Sequence, residues 1–542
     1  MQKRHKILGL IIVLVLAGIG ILSYCLYLQT NNPLFVTANP NSGAISSTNT
    51  SVPNSLAPPP YSNTYETVFV DEKNKKHELK VLNSTFLHNS MRNYYGDRAP
   101  DALDIIWKHN LGTGTTQVGK ETKTWKGAGW TGQPLMVIEN GKKYLIQGAY
   151  DHHLKKIDAQ TGKLVWQYLY DDVIKGTGSI WLNPNADSLK HACIILQGSR
   201  AGKSTFASYI PSYRAISYFT GEELWRLNSS KTWSYSRDVD GSALLLNDTA
   251  YLGLENGIFT IFNPNPDSAT IRNKMLQPQI HKNTDTLYLK KDKKLHGGNL
   301  VTEASPTLLG NRVYIPSGSG HVWGYNLTTQ QMDWDYYIGS DIDGSAVVTD
   351  DNCLLIAIEK QYINGRGGLL KLDPSQAPKD AAQWFFPTEN HPFTLWEGGI
   401  IGSAAVNYHY KKANQPSIAA FTAIDGFFYV IDTRTTEPDY TTTTYDTTLS
   451  LPQPKLLFKY QTGPSISTPL IINNKIVVAT YKGIYLFEFD DDMNFTLKAK
   501  NRIRCESTPF VDDHKIYVAS RNGYLYCLGR ADTTTTKPKV IQ

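Results

Sequence analysis

One short segment recurs along the chain, and this repetition restricts the fold more than any other feature of the sequence. The segment Ile157–Trp166 reads IDAQTGKLVW and joins two strand-like runs through a polar turn. Partial copies read SYFTGEELW (217–225), NLTTQQMDW (326–334) and, near the start, a bare DIIW (104–107). A strand–turn–strand unit repeated every few tens of residues is typical of solenoids and propellers, in which neighbouring units bury one another's apolar faces.

A second repeated feature is a small-residue step at what we predict to be the start of each unit. Examples are GTGSI (176–180), DGSALL (240–245) and DGSAVV (343–348). Equivalent positions in the eight steps are Thr131, Thr177, Asp240, Glu303, Asp343, Ile401, Ile466 and Glu506. They lie 40 to 65 residues apart, and the shortest spacings fit a four-stranded propeller blade. Small residues are expected there because the inner strands of a ring crowd towards its axis.

The first copy of the recurring segment lacks its front half, and the last unit has room for only three strands. We therefore predict that Leu103–Leu111 supplies the missing fourth strand and closes the ring against the segment around Tyr526, which limits exposed sheet edges. The predicted fold class is all-β: an eight-bladed β-propeller over residues 103–530. A lead-in segment (64–102) precedes it and a C-terminal tail (531–542) follows. The 32 tyrosines and abundant threonine favour strands in the same way.

The form of Asp158–Trp166, D-A-x-T-G-K-x-x-W, resembles the PQQ-type propeller repeat. That repeat is shared by quinoprotein alcohol dehydrogenases and by the BamB-type outer-membrane assembly scaffold, and the resemblance covers residues 103–530. It implies either an envelope scaffold or a PQQ-dependent dehydrogenase. The third unit lacks the outer-strand Trp, and Phe458 replaces it in the sixth. The vicinal Cys-Cys pair of the dehydrogenases is absent from the sequence.

The N-terminus predicts a membrane anchor. Residues 1–29 begin with the basic sequence MQKRHK and continue as an uncharged apolar stretch at 7–29, which is long enough to span a bilayer. Because the basic residues precede the stretch, the N-terminal tip is expected in the cytoplasm. Residues 30–63 are rich in Ser, Thr, Asn and Pro and predict a flexible linker. A cleaved signal peptide is one alternative. Lipidation at Cys25 is another, although bulky Tyr24 precedes it.

Four of the eight step positions are acidic: Asp240, Glu303, Asp343 and Glu506. Equivalent inner-strand positions form a ring around a propeller channel, so we predict that these carboxylates meet at its mouth. Gathered carboxylates repel one another unless positive charge neutralises them. Three possibilities remain open: internal salt bridges, for example with Arg237 and Arg504, or water; a metal such as Ca²⁺ held by these four residues; or a basic ligand or partner.

The cysteines and one basic segment indicate which further kinds of site the chain contains. The five cysteines form no CxxC, although Cys505 and Cys527 could lie close enough for a disulfide. The basic run KKDKK (290–294) predicts a solvated hairpin tip, and we expect no nucleic-acid partner.

Together these features predict a non-catalytic binding or scaffold protein anchored in a bacterial inner membrane. Its propeller would stand in the periplasm and its partners would be envelope proteins. One alternative is a PQQ-dependent dehydrogenase that uses PQQ and Ca²⁺, and the other is a small-molecule or Ca²⁺-binding sensor.

Overall fold

A computed structural model describes residues 65–183, 185–202, 210–531 and 539–541. Strands dominate this part of the chain, and its two α-helices are single turns, α1 (Leu189–Ala192) and α2 (Asp292–Leu295). None of the helices in these ranges has the length and apolarity needed to cross a membrane. The predicted anchor (7–29) and linker (30–63) lie outside the described residues and stay predictions.

The strands preceding the first blade are β1 (Tyr65–Val70), β2 (Lys76–Asn83), β3 (Asp104–Asn110), β4 (Thr113–Val118) and β5 (Glu121–Lys126). Blade 1 contains β6 (Leu135–Glu139), β7 (Lys142–Gly148), β8 (His153–Asp158) and β9 (Leu164–Leu169), and blade 2 contains β10 (Ser179–Leu182), β11 (Cys193–Gly198), β12 (Tyr213–Ser217) and β13 (Glu223–Leu227). Blade 3 contains β14 (Leu244–Leu246), β15 (Thr249–Gly253), β16 (Ile258–Asn263) and β19 (Gln279–Thr286), with an inserted hairpin of β17 (Thr270–Arg272) and β18 (Met275–Gln277). Blade 4 contains β20 (Thr307–Leu309), β21 (Arg312–Pro316), β22 (His321–Asn326) and β23 (Gln331–Tyr337).

Blade 5 contains β24 (Val347–Val348), β25 (Leu354–Ile358), β26 (Gly368–Leu372) and β27 (Ala382–Pro387), and blade 6 contains β28 (Ala405–Val406), β29 (Ile418–Thr422), β30 (Phe427–Thr443) and β31 (Ser450–Gln461). Blade 7 contains β32 (Leu470–Ile472), β33 (Lys475–Thr480), β34 (Gly483–Phe489) and β35 (Phe495–Asn501). Blade 8 begins with β36 (Phe510–Asp512), β37 (Lys515–Ala519) and β38 (Tyr524–Gly529), and β39 (Lys539–Ile541) follows in the chain.

Eight of the ten sheets are the blades of a ring, so the predicted eight-bladed all-β propeller is confirmed; the other two are the hairpins β4–β5 and β17–β18. Blade 1 is extended at its inner edge by β2 and β1. The eighth blade has the order β36-β37-β38-β3-β39. The N-terminal strand therefore closes the ring as predicted: Trp107 lies opposite Cys527 and Lys108 opposite Tyr526. Parallel pairing of β39 outside β3 was not foreseen.

The recurring Trp joins an outer strand to the next blade wherever it occurs. In five interfaces its indole N–H donates to a main-chain carbonyl of the following blade: Trp107 to Ala159, Trp166 to Tyr218, Trp225 to Pro264, Trp334 to Gln376, and Trp384 to Thr433. Phe458, the predicted substitute in blade 6, packs on Phe487 of blade 7. The repeated segment is thus the ring's inter-blade joint.

The glycine of the same segment has two roles in this joint. Gly162 adopts a φ of +72°, which closes the tight turn, and a Cβ on it would lie 2.8 Å from the Trp107 ring. Gly221 repeats this arrangement beneath Trp166. Glycine is therefore required for both the turn and the close approach of the indole.

The small-residue steps confirm the expected crowding near the axis. A Cβ on Gly176 would lie 1.8 Å from the carbonyl oxygen of Asp240 in the neighbouring blade. A Cβ on Gly402 would lie 2.7 Å from the carbonyl oxygen of Ile466. Backbone atoms cannot move aside at such distances, so side chains larger than hydrogen are excluded.

The lead-in segment forms a structure that its sequence did not predict. Residues 83–99, here called the plug, run across the ends of the inner strands and hydrogen-bond to several blades. Backbone amides of Ile180, Leu308 and Val348 donate to the carbonyls of Ser84, Ser90 and Met91, which tie blades 2, 4 and 5 to the plug. Most of the plug is buried, and it closes one end of the channel.

Two smaller expectations have definite outcomes. The basic run 290–294 does not form a hairpin tip, because it enters the single-turn helix α2. Cys505 and Cys527 are separate buried thiols rather than a disulfide.

Candidate functional site

The eight step positions meet around the channel end that lies opposite the plug. Six of them line one cavity: Thr131, Thr177, Asp240, Glu303, Asp343 and Ile401. Ile466 packs beside Ile401, and the carbonyl of Glu506 accepts a hydrogen bond from the Thr131 amide. The structure therefore brings the predicted ring together.

Carboxylates from blades 3 to 5 occupy one half of this channel end. The group, here called the acidic mouth, consists of Asp238, Asp240, Glu255, Glu303, Asp341, Asp343 and Glu359. Five of these side chains are buried, Glu255 most of all at 2% exposure. Each lies either just before an inner strand or at the turn between the second and third strands of its blade. Both positions are at the same end of the channel, so the propeller brings these carboxylates close together.

Two cations neutralise part of the acidic mouth. The Lys175 ammonium lies 2.5 Å from an Asp240 carboxylate oxygen, and the Arg200 guanidinium donates to Asp238 at 2.8 Å. Neither Lys175 nor Arg200 lies within 4.0 Å of a carboxylate oxygen of Glu255, Glu303, Asp341, Asp343 or Glu359. Lys175 and Arg521 are internal cations that contact the predicted ring, at Asp240 and at Glu506.

Aromatic and aliphatic side chains occupy the other half of the channel end. Trp130 stacks on Trp396 with ring centroids 6.2 Å apart, beside Ile401 and Ile466. The Trp130 indole N–H donates to a Glu303 carboxylate oxygen at 2.5 Å, and Lys175 Nζ lies 5.0 Å from the Trp130 ring. One indole thus contacts both a carboxylate and an ammonium group.

The backbone beneath this tryptophan is strained. Trp130 and Thr131 have φ values of +50° and +58°, in the left-handed region that non-glycine residues rarely occupy. The conformation is least favourable for β-branched Thr131. Such strain clusters at functional sites, where the surrounding structure enforces it.

Burial raises the pKa of six carboxylates of the acidic mouth: Asp240, Glu255, Glu303, Asp341, Asp343 and Glu359. It raises the pKa of Glu303 to about 8 and that of Asp341 to about 6. Glu359 is affected most clearly: burial, followed by the negative charges of Asp341, Glu303 and Glu397, raises its pKa to about 9. Burial acts against the Lys175 ammonium, yet Asp240 and the neighbouring carboxylates raise its pKa well above the usual value.

These shifts predict how stability depends on pH. Glu359 has a folded-state pKa of about 9 against an ordinary value of 4.5, so between these pH values the folded state binds more protons than the unfolded state. The stability it contributes is present below pH 4.5 and lost as pH rises through 9. Glu359→Gln is therefore expected to gain at least about 1.4 kcal/mol, one pKa unit, relative to wild type between pH 5 and pH 9.

Urea denaturation of both proteins at the two pH values measures this difference. Glu72→Gln, an exposed substitution on the β1–β2 turn, is the matched control and should leave the pH dependence unchanged. An equal pH dependence in wild type and Glu359→Gln would contradict the assignment.

The geometry of the acidic mouth fits a hard divalent cation in one place. Asp240, Glu255 and Glu303 can each present a carboxylate oxygen with all three oxygens within 4.8 Å of one another. Calcium prefers oxygen ligands of this kind. Of the four residues predicted from the sequence, Glu506 instead binds the Arg521 guanidinium, at 2.8 Å, and Asp343 lines the same cavity. Metal binding by the four-residue set stays a prediction.

The same lining does not fit PQQ. That quinone carries three carboxylate groups, and the acidic mouth would place several buried carboxylates against them. Lys175, the buried ammonium, is already paired with Asp240. The five cysteines are also far apart in sequence, so no vicinal disulfide is available as a wall for the quinone.

The channel below the acidic mouth is nearly filled. Phe86 of the plug faces the ring from beneath, together with Ser242, Ser305 and Ser345. The space between them is ≈ 20 Å³, about enough for one water molecule. A ligand therefore has access to the ring only from the open side.

Lys175, Glu255 and Glu359 were missed from the sequence and had no assigned place in the ring. Glu255 and Glu359 follow the second strand of their blades by equivalent short distances, in LENG and IEKQ. This recurring position could have been used to predict both residues from the sequence. Lys175 occupies no repeated position, because it lies in the connection between two blades, and it neutralises Asp240 only because the fold brings the two together.

Comparisons with known proteins agree on the fold alone. No protein-family model matches the sequence, and no curated protein matches it. Among solved structures, BamB from Moraxella catarrhalis is similar over 80% of this chain and 99% of its own, with 12% identity and a TM-score of 0.46. The quinohemoprotein alcohol dehydrogenase from Comamonas testosteroni is similar over 85% and 82%, with 12% identity and a TM-score of 0.48.

A computationally designed protein, Ika8, is similar over 71% of this chain and 93% of its own, with 14% identity and a TM-score of 0.44. At these identities no activity or partner passes from those proteins to this chain.

Proposed function

We propose that this chain is a membrane-tethered binding protein of the cell envelope and that its partner docks on the face surrounding the acidic mouth, here called the mouth face. One observation carries the proposal: large exposed side chains surround buried carboxylates. Trp233 and Tyr235 are 68% and 67% exposed, Tyr362 is 47% exposed and Leu395 is 94% exposed. Aromatic side chains around a recessed centre are typical of protein-binding surfaces.

Tyr235 and Tyr362 lie close to the carboxylates. The pKa of Tyr235 is raised, first because part of its side chain is shielded from solvent despite the exposed remainder, and then by the negative charges of Glu303, Asp341 and Glu255. The Tyr362 hydroxyl accepts a hydrogen bond from Asn299, whose amide also binds Asp341 at 2.6 Å. The exposed ring and the acidic centre therefore form one continuous surface.

The connections between blades also favour this face. Three long ones emerge here, residues 228–243, 287–306 and 388–404, and the β4–β5 hairpin adds another. Loops carried on a rigid scaffold are where binding residues concentrate. The opposite end of the channel is closed by the plug.

The cellular place of the protein is proposed from its N-terminus. An anchor at 7–29 would hold it in a bacterial inner membrane, and the linker at 30–63 would let the propeller reach roughly 30 Å into the periplasm. Envelope proteins are then the available partners. The mouth face would be presented without packing on the bilayer.

Site-specific photocrosslinking in intact cells tests the proposal. A photoreactive phenylalanine derivative at Leu395 reports on the mouth face, and one at exposed Asp248, in the β14–β15 turn, reports on the plug side. We expect a discrete protein adduct from position 395 and none from 248. Adducts from 248 alone, or from neither position, would overturn the proposed docking face.

An activity assay separates this proposal from the dehydrogenase alternative. Purified protein supplied with PQQ, Ca²⁺ and an alcohol or sugar is expected not to reduce a dye acceptor. Turnover under these conditions would replace the binding function with a catalytic one.

A further inference from the structure

We infer that the group received by the acidic mouth is the ammonium or guanidinium tip of a Lys or Arg side chain on a protein partner. This inference rests on the proposed function and names the chemistry of its docking site. It begins from charge: seven carboxylates converge, and Lys175 and Arg200 pair with two of them, Asp240 and Asp238. This excess of acidic groups is confined to the acidic mouth, since the whole chain has a net charge of +6.

Unused acceptor atoms in the acidic mouth point to a missing donor. Asp240 Oδ1, Glu255 Oε1 and Asp341 Oδ1 are buried oxygens without a hydrogen-bond partner among the described residues. Their side chains are 7%, 2% and 7% exposed. Buried acceptors are almost always satisfied in native proteins, and a charged N–H donor satisfies a carboxylate best.

The mouth already contains one ammonium group in the arrangement that we infer for the ligand. Lys175 Nζ lies between the Asp240 carboxylate, at 2.5 Å, and the face of Trp130, at 5.0 Å. Carboxylate and indole together favour a cation by charge attraction and by cation–π attraction. Tyr235 and Tyr362 offer comparable rings nearer the solvent, beside Asp341, whose Oδ1 is without a partner among the described residues, and Glu359.

The size of the surface favours a polypeptide over a free ion. The ≈ 20 Å³ space beneath the ring has no room for a larger ligand, so the charged tip would enter from outside. An ion would leave Trp233 and Leu395 in solvent, whereas a polypeptide carrying the tip would cover them. Lys293, 4.2 Å from the Trp233 ring, marks the basic outer limit of the acidic surface.

Peptide binding tests the inference. The probe is fluorescein-labelled nona-arginine, and the control probe replaces each arginine by neutral, nearly isosteric citrulline. Fluorescence polarisation at 150 mM NaCl measures binding to the purified full chain. We expect binding of nona-arginine only, and we expect Asp341→Asn combined with Glu359→Gln to weaken it at least about tenfold, since each removes a carboxyl group that would ionise against the bound cation.

A matched variant controls for total charge. Asp491→Asn with Asp492→Asn removes two exposed charges from the β34–β35 turn and should change affinity less than about twofold, as expected of surface charges. The mouth variants relieve repulsion between buried charges, so they are expected to fold, and thermal melting checks this.

Three results would overturn the inference: equal binding of both peptides, no binding, or equal loss in the two double variants. Displacement of the peptide by Ca²⁺, but not by NaCl of equal ionic strength, would assign the carboxylates to a metal and also overturn it. Each of these results leaves the crosslinking outcome at Leu395, and hence the proposed docking face, independently testable.

Discussion

Replacing Trp107 by alanine is expected to lower the free energy of unfolding by about 3–5 kcal/mol, the usual range for a buried tryptophan. Trp107 is 2% exposed, packs on Gly162 and donates its indole N–H to the Ala159 carbonyl at 3.1 Å. It lies on the strand that completes blade 8, so its loss weakens the contact between the last blade and the first. Urea denaturation followed by circular dichroism measures the change.

Two further variants separate this joint from general effects of losing a tryptophan. Trp107→Phe keeps most of the ring but removes the N–H, and we expect it to cost about 1–2 kcal/mol. Trp233→Ala removes a tryptophan that is 68% exposed and should change stability by less than about 0.5 kcal/mol. If Trp107→Ala were no more destabilising than Trp233→Ala, the closing strand would not hold the ring.

Replacing Arg92 by alanine is expected to cost about 3 kcal/mol or more. Arg92 is fully buried in the plug, where its guanidinium donates to Thr85 Oγ1 at 2.9 Å and to the carbonyls of Phe86 and Pro306, both at 2.6 Å. Alanine leaves these acceptors buried without a donor and leaves a cavity. The bond to Pro306 also ties the plug to blade 4.

The control is Arg98→Ala, which removes a largely exposed guanidinium that pairs with Asp513, and should cost less than about 1 kcal/mol. Proteolysis adds a readout specific to the plug: Arg92→Ala is expected to expose cleavage sites within residues 83–99 before the blades are cut. Equal stability and equal protease resistance of the two variants would mean that the plug does not seal the channel.

The ring could be predicted from the sequence because its determinants are local and repeated. The turn at Asp158–Gly162, the Trp that follows it and the small step that starts each blade lie within a few residues of one another. Closure of the ring by the strand of Trp107 could be predicted from the same recurring segment. The last unit lacks a fourth strand and the first copy of the segment lacks its front half, so the first copy can supply the missing strand.

The plug could not be predicted in this way. Residues 83–99 lack a strand-like alternation, and their backbone pairs with Leu308 and Val348, more than 200 residues away. No short-range pattern specifies such contacts. The acidic ring was found because its members occupy one repeat position, whereas Lys175 neutralises it from an inter-blade connection and has no counterpart in the repeat.

The convergence of the acidic mouth depends on a ring closed in register by the strand of Trp107. An engineered disulfide tests this directly, in a background with the five native cysteines replaced by alanine. Lys108 and Tyr526 are cross-strand neighbours, and such Cα atoms lie about 4.5–5.5 Å apart, within disulfide range. We expect Lys108→Cys with Tyr526→Cys to form an intramolecular disulfide on mild oxidation, detected by mass spectrometry of linked peptides, whereas Lys108→Cys with Asn352→Cys in blade 5 remains reduced. Failure of the first pair to link within one molecule would contradict the closed ring, and with it the site that the ring assembles.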